Sequence, residues 1–100
     1  MQLVEIVFHQ VSRVNSGLPL EVSDEEIVTY TAPEGVRAVV FQNLTKGDVG
    51  YGGESVRPEN HVGLILPRGE TLTLALKSGG TVCFRGAKGV KGWVGVIHHV

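Results

Sequence analysis

The sequence predicts a single all-β domain over residues 1–100, a small antiparallel β-sandwich or barrel of about seven to eight short strands. Three observations predict this fold class. Apolar residues alternate with a period of two along most segments, whereas a helix would need a period of about 3.6. Turn residues interrupt the chain roughly every 8–12 residues, as in sandwiches and barrels. Fourteen glycines supply tight turns, and 42% hydrophobic residues supply a core.

The first half of the chain contains three expected strands. The opening segment, 3–8, is rich in β-formers, and 27–32 is a second strand that ends at the turn residues Pro33-Glu34-Gly35. Segment 36–42 is almost continuously apolar, a pattern typical of a strand that is buried on both faces.

The second half alternates more regularly and is divided by turn residues. Leu72, Leu74 and Leu76 should share one face of a strand, because side chains two residues apart lie on the same side. The expected order is a strand over 62–66, a turn at 67–69, a strand over 70–76, a hairpin turn at 78–80, a strand over 81–85, a loop over 86–92 and a closing strand over 93–98.

Residues 14–24 have no clear alternation and contain an apolar spot with Leu18 and Leu20 around Pro19. Two interpretations are open for this segment: an arm that reaches a neighbouring copy, or a loop that packs on its own domain. Immediately after it, residues 23–26 are expected to form at most one helical turn, because Ser23 can cap it and a glutamate follows three residues later.

Composition argues against several function classes. The net charge of −1 provides no basic face for nucleic acid. No apolar run approaches the ~20 residues of a membrane span, and the N-terminus does not resemble a signal peptide. Cys83 is the only cysteine, so we expect a buried thiol without a disulfide framework. No set of acid, base and nucleophile stands out, so we expect neither catalysis nor a cofactor.

Charge is divided unevenly along the chain. Residues 1–50 carry three Lys/Arg against seven Asp/Glu, and residues 51–100 carry six against three. The simplest interpretation is two differently charged faces without a role. The alternative is a surface that meets its opposite in a neighbouring copy, where complementary potentials set the register of association.

The loop over 86–92 supplies a specific version of that contact. Lys88 and Lys91 lie in this loop, and Asp24, Glu25 and Glu26 form an acidic run elsewhere in the chain. We expect that the two lysines could meet the acidic run of another copy. Reversing both lysine charges should then weaken assembly.

Four further side chains are candidate contact residues. Trp93 lies in the segment Gly-Trp-Val-Gly, and it is either a core residue, an interface anchor or a stacking surface for a sugar. Tyr51 is flanked by glycines and permits the same interpretations. His98 and His99 are adjacent, so on a strand they point to opposite faces and should not bind one metal ion. A symmetric assembly could instead gather copies of one histidine at its axis.

A recognisable order of motifs runs through the middle of the chain. An apolar strand ends in Asn43-Leu44, a Val-Gly-Tyr-Gly-Gly segment follows from Val49, and Gly-Leu-Ile-Leu-Pro-Arg-Gly-Glu leads from Gly63 into an alternating strand. This order, over roughly residues 36–76, resembles a pattern of small β-domain structural proteins in tailed bacteriophage particles. The N-terminal third has no counterpart in that pattern.

The resemblance implies a non-enzymatic virion component: a capsid decoration or cement protein, or a neck or tail protein. Its implied partners are further copies of itself, in a trimer or larger ring, and other virion proteins. Its implied location is the virion, after synthesis in the host cytoplasm. No functional residue carries over, because the shared motif is a folding motif. The alternative function is a carbohydrate- or ligand-binding β-module.

Overall fold

A computed structural model describes residues 14–100. Apart from one 3₁₀ helix, Pro58–Asn60, its regular elements are β-strands. They are β1 (Val14–Ser16), β2 (Leu20–Val22), β3 (Val28–Thr31), β4 (Ala38–Asn43), β5 (Val49–Gly52), β6 (Leu64–Leu66), β7 (Thr71–Leu74), β8 (Thr81–Gly86) and β9 (Gly92–His99). The strand expected over 3–8 lies outside the described residues.

The strands form two antiparallel sheets. Sheet A has the order β1-β9-β4-β7, with β2 also paired to β9, and sheet B has the order β3-β8-β5-β6. The Phe41 ring of sheet A lies 4.9 Å from the Phe84 ring of sheet B, and the edge of Tyr30 packs on Phe41 at 5.2 Å. The expectation of a small antiparallel sandwich is confirmed, and the sheets do not close into a barrel.

β4 is an interior strand of sheet A, paired with β9 on one side and β7 on the other. Val39 and Phe41 point into the core and are fully buried. Val40 points to the opposite side and is still only 7% exposed. Burial on both faces therefore holds at the middle of this strand, whereas on the outer face Ala38 is half-exposed and Gln42 is exposed.

The segment over 14–24 is an edge of sheet A. β1 pairs Ser16 with Ile97, whereas β2 pairs Leu20 with Val94. Between these two pairs, residues 17–19 of the edge lie opposite residues 95 and 96 of β9. One extra residue on one strand is the definition of a β-bulge. Of the two interpretations of this segment, packing on its own domain is the one observed, and it occurs as paired strands rather than a loop.

The one helical turn that Ser23 could have started does not form: residues 24–26 make a bend. The Ser23 carbonyl accepts a hydrogen bond from the Gly86 N–H at 2.9 Å. The Asp24 carbonyl accepts from both Nε and Nη2 of Arg85, at 3.0 and 2.9 Å. These carbonyls are directed at β8 and so cannot accept the bonds that a helical turn would require.

A buried amide joins the loops at one end of the sandwich. Asn43 is fully buried, and its Nδ2 donates to the carbonyls of Gly47 and Leu66, both at 2.8 Å. Its Oδ1 accepts from the backbone N–H of Thr45 at 2.9 Å and from the Thr45 hydroxyl at 2.6 Å. The amide thus satisfies four polar groups and holds the β4–β5 turn against β6.

Sheet B is covered on part of its outer side by the segment between β5 and β6. Val56 in this segment is 1% exposed, and Pro58 begins the 3₁₀ helix. A Cβ added to Gly50 would overlap Pro58 Cγ and lie 3.2 Å from Val56 Cγ2. The glycine at position 50 is what allows this segment to lie directly on the sheet.

Candidate interaction surface

The strands β4, β7 and β9 carry no charged residue on the outer side of sheet A, where a solvated sheet face normally has several. On β2, Glu21 lies on this side, directly across from Trp93. Cross-strand register places Val40 beside Ile97 and Gln42 beside both Gly95 and Thr71 on this side. The outward positions of β4, β7 and β9 include no Asp, Glu, Lys or Arg. They are Ala38, Val40, Gln42, Thr71, Thr73, Trp93, Gly95, Ile97 and His99.

A groove of about 330 Å³ opens on this side and is called here the sheet A groove. Val40, Gly95 and Ile97 line it from the central strands, and Gln42 and Thr71 add polar groups. Because position 95 has no side chain, the strand surface is lowered there. Ser16, Gly17, Pro19 and Val96 complete the lining.

Three exposed apolar side chains lie around this groove and form what we call the apolar rim: Leu18, Leu44 and Trp93, which are 88%, 58% and 48% exposed. Trp93 shares the outer side with Gly95, two residues along β9. Leu44 donates its backbone N–H to the Trp93 carbonyl at 3.0 Å. Its Cδ1 lies 3.4 Å from where a Cβ on Gly95 would be.

Leu18 is placed by the bulge. It lies between Gly17 and Pro19, both of which line the sheet A groove. Gly17 faces the interior, because a Cβ there would come within 2.8 Å of His98 Cε1. Side-chain alternation then directs the next residue, Leu18, away from the core. Its exposed fraction is the largest among the exposed large hydrophobic residues that the structure describes.

The acidic run meets the lysine loop within one chain. The Gly89 N–H donates to Asp24 Oδ2 at 2.8 Å, and this hydrogen bond is the main cause of a lowered Asp24 pKa. Lys91 Nζ lies 3.3 Å from Glu25 Oε1. Within one chain, Lys91 thus pairs with Glu25, and Asp24 bonds to the backbone of the lysine loop. Glu26 and Lys88 are exposed and form no ion pair with the residues described.

Tyr51 and Trp93 do not form a common aromatic surface. Tyr51 belongs to sheet B, and its ring packs inward at 6.5 Å from Phe84. Trp93 belongs to sheet A and lies on the outer side. Of the interpretations open for Tyr51, packing on the core is the one observed, because register with Phe84 turns the ring inward. Trp93 is half-exposed, so it is not a core residue, and its two contact interpretations stay open.

Three further candidates lie inside the molecule. Leu20 packs against the core. The Nε2 atom of His98 hydrogen-bonds to the Tyr30 hydroxyl, and His99 is fully buried. Burial lowers the pKa of both histidines. His98 and His99 do lie on opposite faces, but neither is on the surface where an assembly axis could gather its copies.

Sequence reasoning missed Leu44, Val40 and Gln42 as surface candidates. Leu44 follows the Asn43 motif and reads as the end of a strand. Its exposure depends on the side-chain bonds of Asn43 that bend the chain. Val40 and Gln42 are assigned to the sheet A groove only by the pairing of β4 with β9. The sequence signal for the groove was Gly95. On a strand it shares a face with Trp93 and Ile97, and it leaves a gap between them because it has no side chain.

Within residues 14–100 no three His, Cys, Asp or Glu side chains are grouped so that they could hold a metal ion. No helix in that part of the chain is long and apolar enough to cross a membrane. No family model matches the chain, and no curated protein or solved structure matches it either. The outer side of sheet A, with its groove and apolar rim, is therefore the candidate functional surface on the strength of its own chemistry.

Proposed function

We propose that the chain is a non-enzymatic structural protein of a bacteriophage particle, a capsid decoration, neck or tail component that acts through contacts between protein subunits. The observation that carries this proposal is the apolar rim on the outer side of sheet A, where β4, β7 and β9 carry no charged residue. Apolar surface without charge is typical of the central part of protein–protein interfaces, where charged residues are depleted.

The resemblance over residues 36–76 supports the phage assignment. The residues that carry it belong to a rigid frame: Asn43 closes the end of the sandwich, and the Pro-Arg-Gly-Glu turn leads into β7. The Gly69 N–H donates to the Asn43 carbonyl at 2.8 Å, and the Asn43 N–H donates to the Glu70 carbonyl at 3.0 Å. Such a frame holds the outer side of sheet A in one shape, as a lattice contact requires.

The test is the composition of the particle. Particles produced from the encoding genome are purified on a density gradient and quantified by mass spectrometry. The proposal predicts the chain at a fixed ratio to the major capsid protein, retained after washing at high salt, since an apolar contact is not screened by salt. Absence of the chain from washed particles would contradict the proposal.

A second candidate function is carbohydrate binding, and the half-exposed Trp93 ring favours it. Register places Glu21 directly across from Trp93, so a carboxylate lies beside the ring, as sugar hydroxyls prefer. A glycan array with the wild-type chain and the Trp93→Ala variant tests this. Binding of a defined glycan that the variant loses would favour this candidate, and no binding to any glycan would exclude it for the array.

A further inference from the structure

Strand β7 is an edge of sheet A, and its outer edge carries backbone groups that the sheet does not use. It pairs with β4 on one side and stands last in the strand order of the sheet. The Asn43 N–H donates to the Glu70 carbonyl at 3.0 Å, so Glu70 is bonded toward β4, and every second residue of β7 repeats that orientation. The residues between, Thr71 and Thr73, direct their N–H and C=O groups away from β4. No strand within residues 14–100 pairs with β7 on that side.

The β7 edge lacks the charges, proline and bulge that protect many edge strands. Residues 71–76 read Thr-Leu-Thr-Leu-Ala-Leu, and the pairing of β7 with β4 is regular along its length. The opposite edge of sheet A differs, because Pro19 and the bulge between β1 and β2 interrupt it. The β7 edge is therefore the side of sheet A on which a further strand can pair.

Apolar side chains face the space beside the β7 edge. Leu72 and Leu74 pack against the core from β7 but are only half-buried. Leu64 on β6 pairs with Tyr51, whose ring packs inward on Phe84, so Leu64 is directed to the same inner side, yet it is 63% exposed. A turn of four residues joins β6 to β7, so the two strands lie on the same side of the sandwich. A further strand at this edge would bring its own side chains against these leucines.

We propose that a second copy of this chain supplies that strand, by antiparallel pairing of its β7 with β7 of the first copy about a two-fold axis at Thr73. The pairing joins the two A sheets into one continuous sheet. This inference goes beyond the proposed function, because it names a contact at a strand edge that does not use the apolar rim.

The sequence of β7 matches itself in this pairing. With Thr73 opposite Thr73 of the other copy, Leu72 meets Leu74 and Thr71 meets Ala75. Residues opposite each other share a face, so leucine meets leucine on the inner side. The Thr73 pair has its N–H and C=O groups directed outward, so it exchanges two hydrogen bonds. A pair centred on Leu72 or Leu74 would also align leucines, but those residues already direct their backbone groups to β4.

The charges around the β7 edge favour a second copy. A two-fold axis places equal groups near each other, and the five positions 71–75 around it are uncharged. The first charges on either side are opposite in sign, Glu70 before the segment and Lys77 after it. Antiparallel pairing places Glu70 of each copy opposite Leu76 of the other, next to Lys77. Attraction therefore flanks the contact at both ends.

The contact is small, so the dimer is expected to be weak. Five paired residues at ~3.3 Å each span about 17 Å, and an edge of that length buries less than the ~800 Å² per partner of a standard interface. The dimer should dissociate in dilute solution and form at high protein concentration. Subunits that are neighbours on a particle are held at a high effective concentration, and a weak contact is then occupied.

The experiment combines sedimentation velocity with amide hydrogen exchange over protein concentrations from about 10 μM to about 1 mM, the range in which a weak contact is occupied. The wild-type chain should pass from monomer to dimer, and exchange of the Thr73 N–H should slow over the same range. A chain that stays monomeric throughout, or a dimer in which Thr73 exchanges as fast as in the monomer, would overturn the proposal. Protection of the Thr73 N–H in a monomer would overturn it as well, because the edge would then be filled within one chain.

Variants at the axis test the symmetry of the contact. Thr73→Lys places two like charges opposite each other and should raise the dissociation constant at least about tenfold, and Thr73→Glu should do the same. An equal mixture of the two variants should dimerise at least as well as the wild type, because lysine then faces glutamate. The Thr73 side chain is half-buried on the outer side, so both variants should retain the wild-type circular dichroism spectrum. A mixture that stays dissociated while the wild type dimerises would contradict a two-fold contact at this residue.

The matched control is Thr31→Lys, the same substitution at an exposed residue of β3, an edge of sheet B. It should leave the dimer unchanged. If Thr31→Lys dissociates the dimer and Thr73→Lys does not, the contact is at the β3 edge and the proposal fails. A chain found in washed particles but monomeric at every concentration alone would fail this inference and keep the proposed function. Absence from particles with a Thr73-dependent dimer would do the reverse.

Discussion

The Tyr30 hydroxyl hydrogen-bonds to Nε2 of His98 and thereby joins sheet B to sheet A across the interior. Tyr30 is 8% exposed, and its ring also packs edge-on against Phe41. This polar contact lies among apolar side chains, where an unpaired hydroxyl or imidazole nitrogen is destabilising. Loss of this hydrogen bond should therefore weaken the alignment of the two sheets and lower the stability of the fold.

Tyr30→Phe should lower the free energy of unfolding by about 1–3 kcal/mol, because the half-buried His98 loses the partner of its Nε2 atom. Urea denaturation measures the change. Tyr51→Phe is the matched control: that ring is half-buried, and its hydroxyl forms no hydrogen bond with residues 14–100 in the structure. Equal effects of the two substitutions would contradict a special role for the Tyr30 contact.

Stability should fall as the pH is lowered below about 6.5. Burial lowers the pKa of His98 and His99 below the ordinary value of 6.5, so the unfolded chain takes up protons before the folded chain does. The stabilisation is complete above pH 6.5 and is lost as the pH falls toward the folded-state pKa values.

The urea midpoint, measured between about pH 7 and pH 5, tests this dependence. His98→Gln removes one titrating group and keeps a side chain that can bond to Tyr30. The variant should show a smaller fall in the midpoint over that range. A wild-type midpoint that rises as the pH is lowered would contradict the sign.

Asn43→Asp should destabilise the fold by about 3 kcal/mol or more. The substitution replaces an amide that donates to the carbonyls of Gly47 and Leu66 with a carboxylate that repels them in a buried site. Thermal unfolding at neutral pH measures the loss. Asn60→Asp, the same change at an exposed position, should be within about 0.5 kcal/mol of wild type.

Gly50→Ala should destabilise by about 1–3 kcal/mol, because the added methyl overlaps Pro58 and forces the segment over sheet B to move. Gly53→Ala is the control, since nothing lies within 4 Å of a Cβ at that position and its φ is not positive. If the first variant is as stable as the second, then Pro58 does not pack tightly on the sheet. The double variant Gly50→Ala with Pro58→Ala should recover part of the loss.

The sequence was sufficient for the local features of the fold. Alternation placed Leu72, Leu74 and Leu76 on one face, because period two follows directly from strand geometry, and in the structure all three pack against the core. The turn expected at 78–80 is present, and Gly79 has the positive φ of a tight turn. The expected hairpin is wrong, because β7 pairs with β4 in sheet A whereas β8 pairs with β3 and β5 in sheet B.

Features that depend on long-range pairing were not predictable in the same way. β1 and β2 have three residues each and are separated by the bulge, so neither shows alternation of its own. Their strand character comes from pairing with β9, seventy or more residues along the chain. The orientation of Tyr51 likewise depends on its register with Phe84. The sheet A groove needs three strands and an edge to come together, so no single segment encodes it.

The bulge at Gly17–Pro19 also determines what this edge of the molecule does not do. Proline has no N–H, and the change in register interrupts the row of backbone donors and acceptors that β1 and β2 would otherwise present. An incoming strand therefore finds no continuous template on which to extend the sheet, and fibre-like growth from this side is blocked. Any self-association from this side of the molecule has to use the side chains of a face, and it ends at a finite number of subunits where that contact is two-fold symmetric.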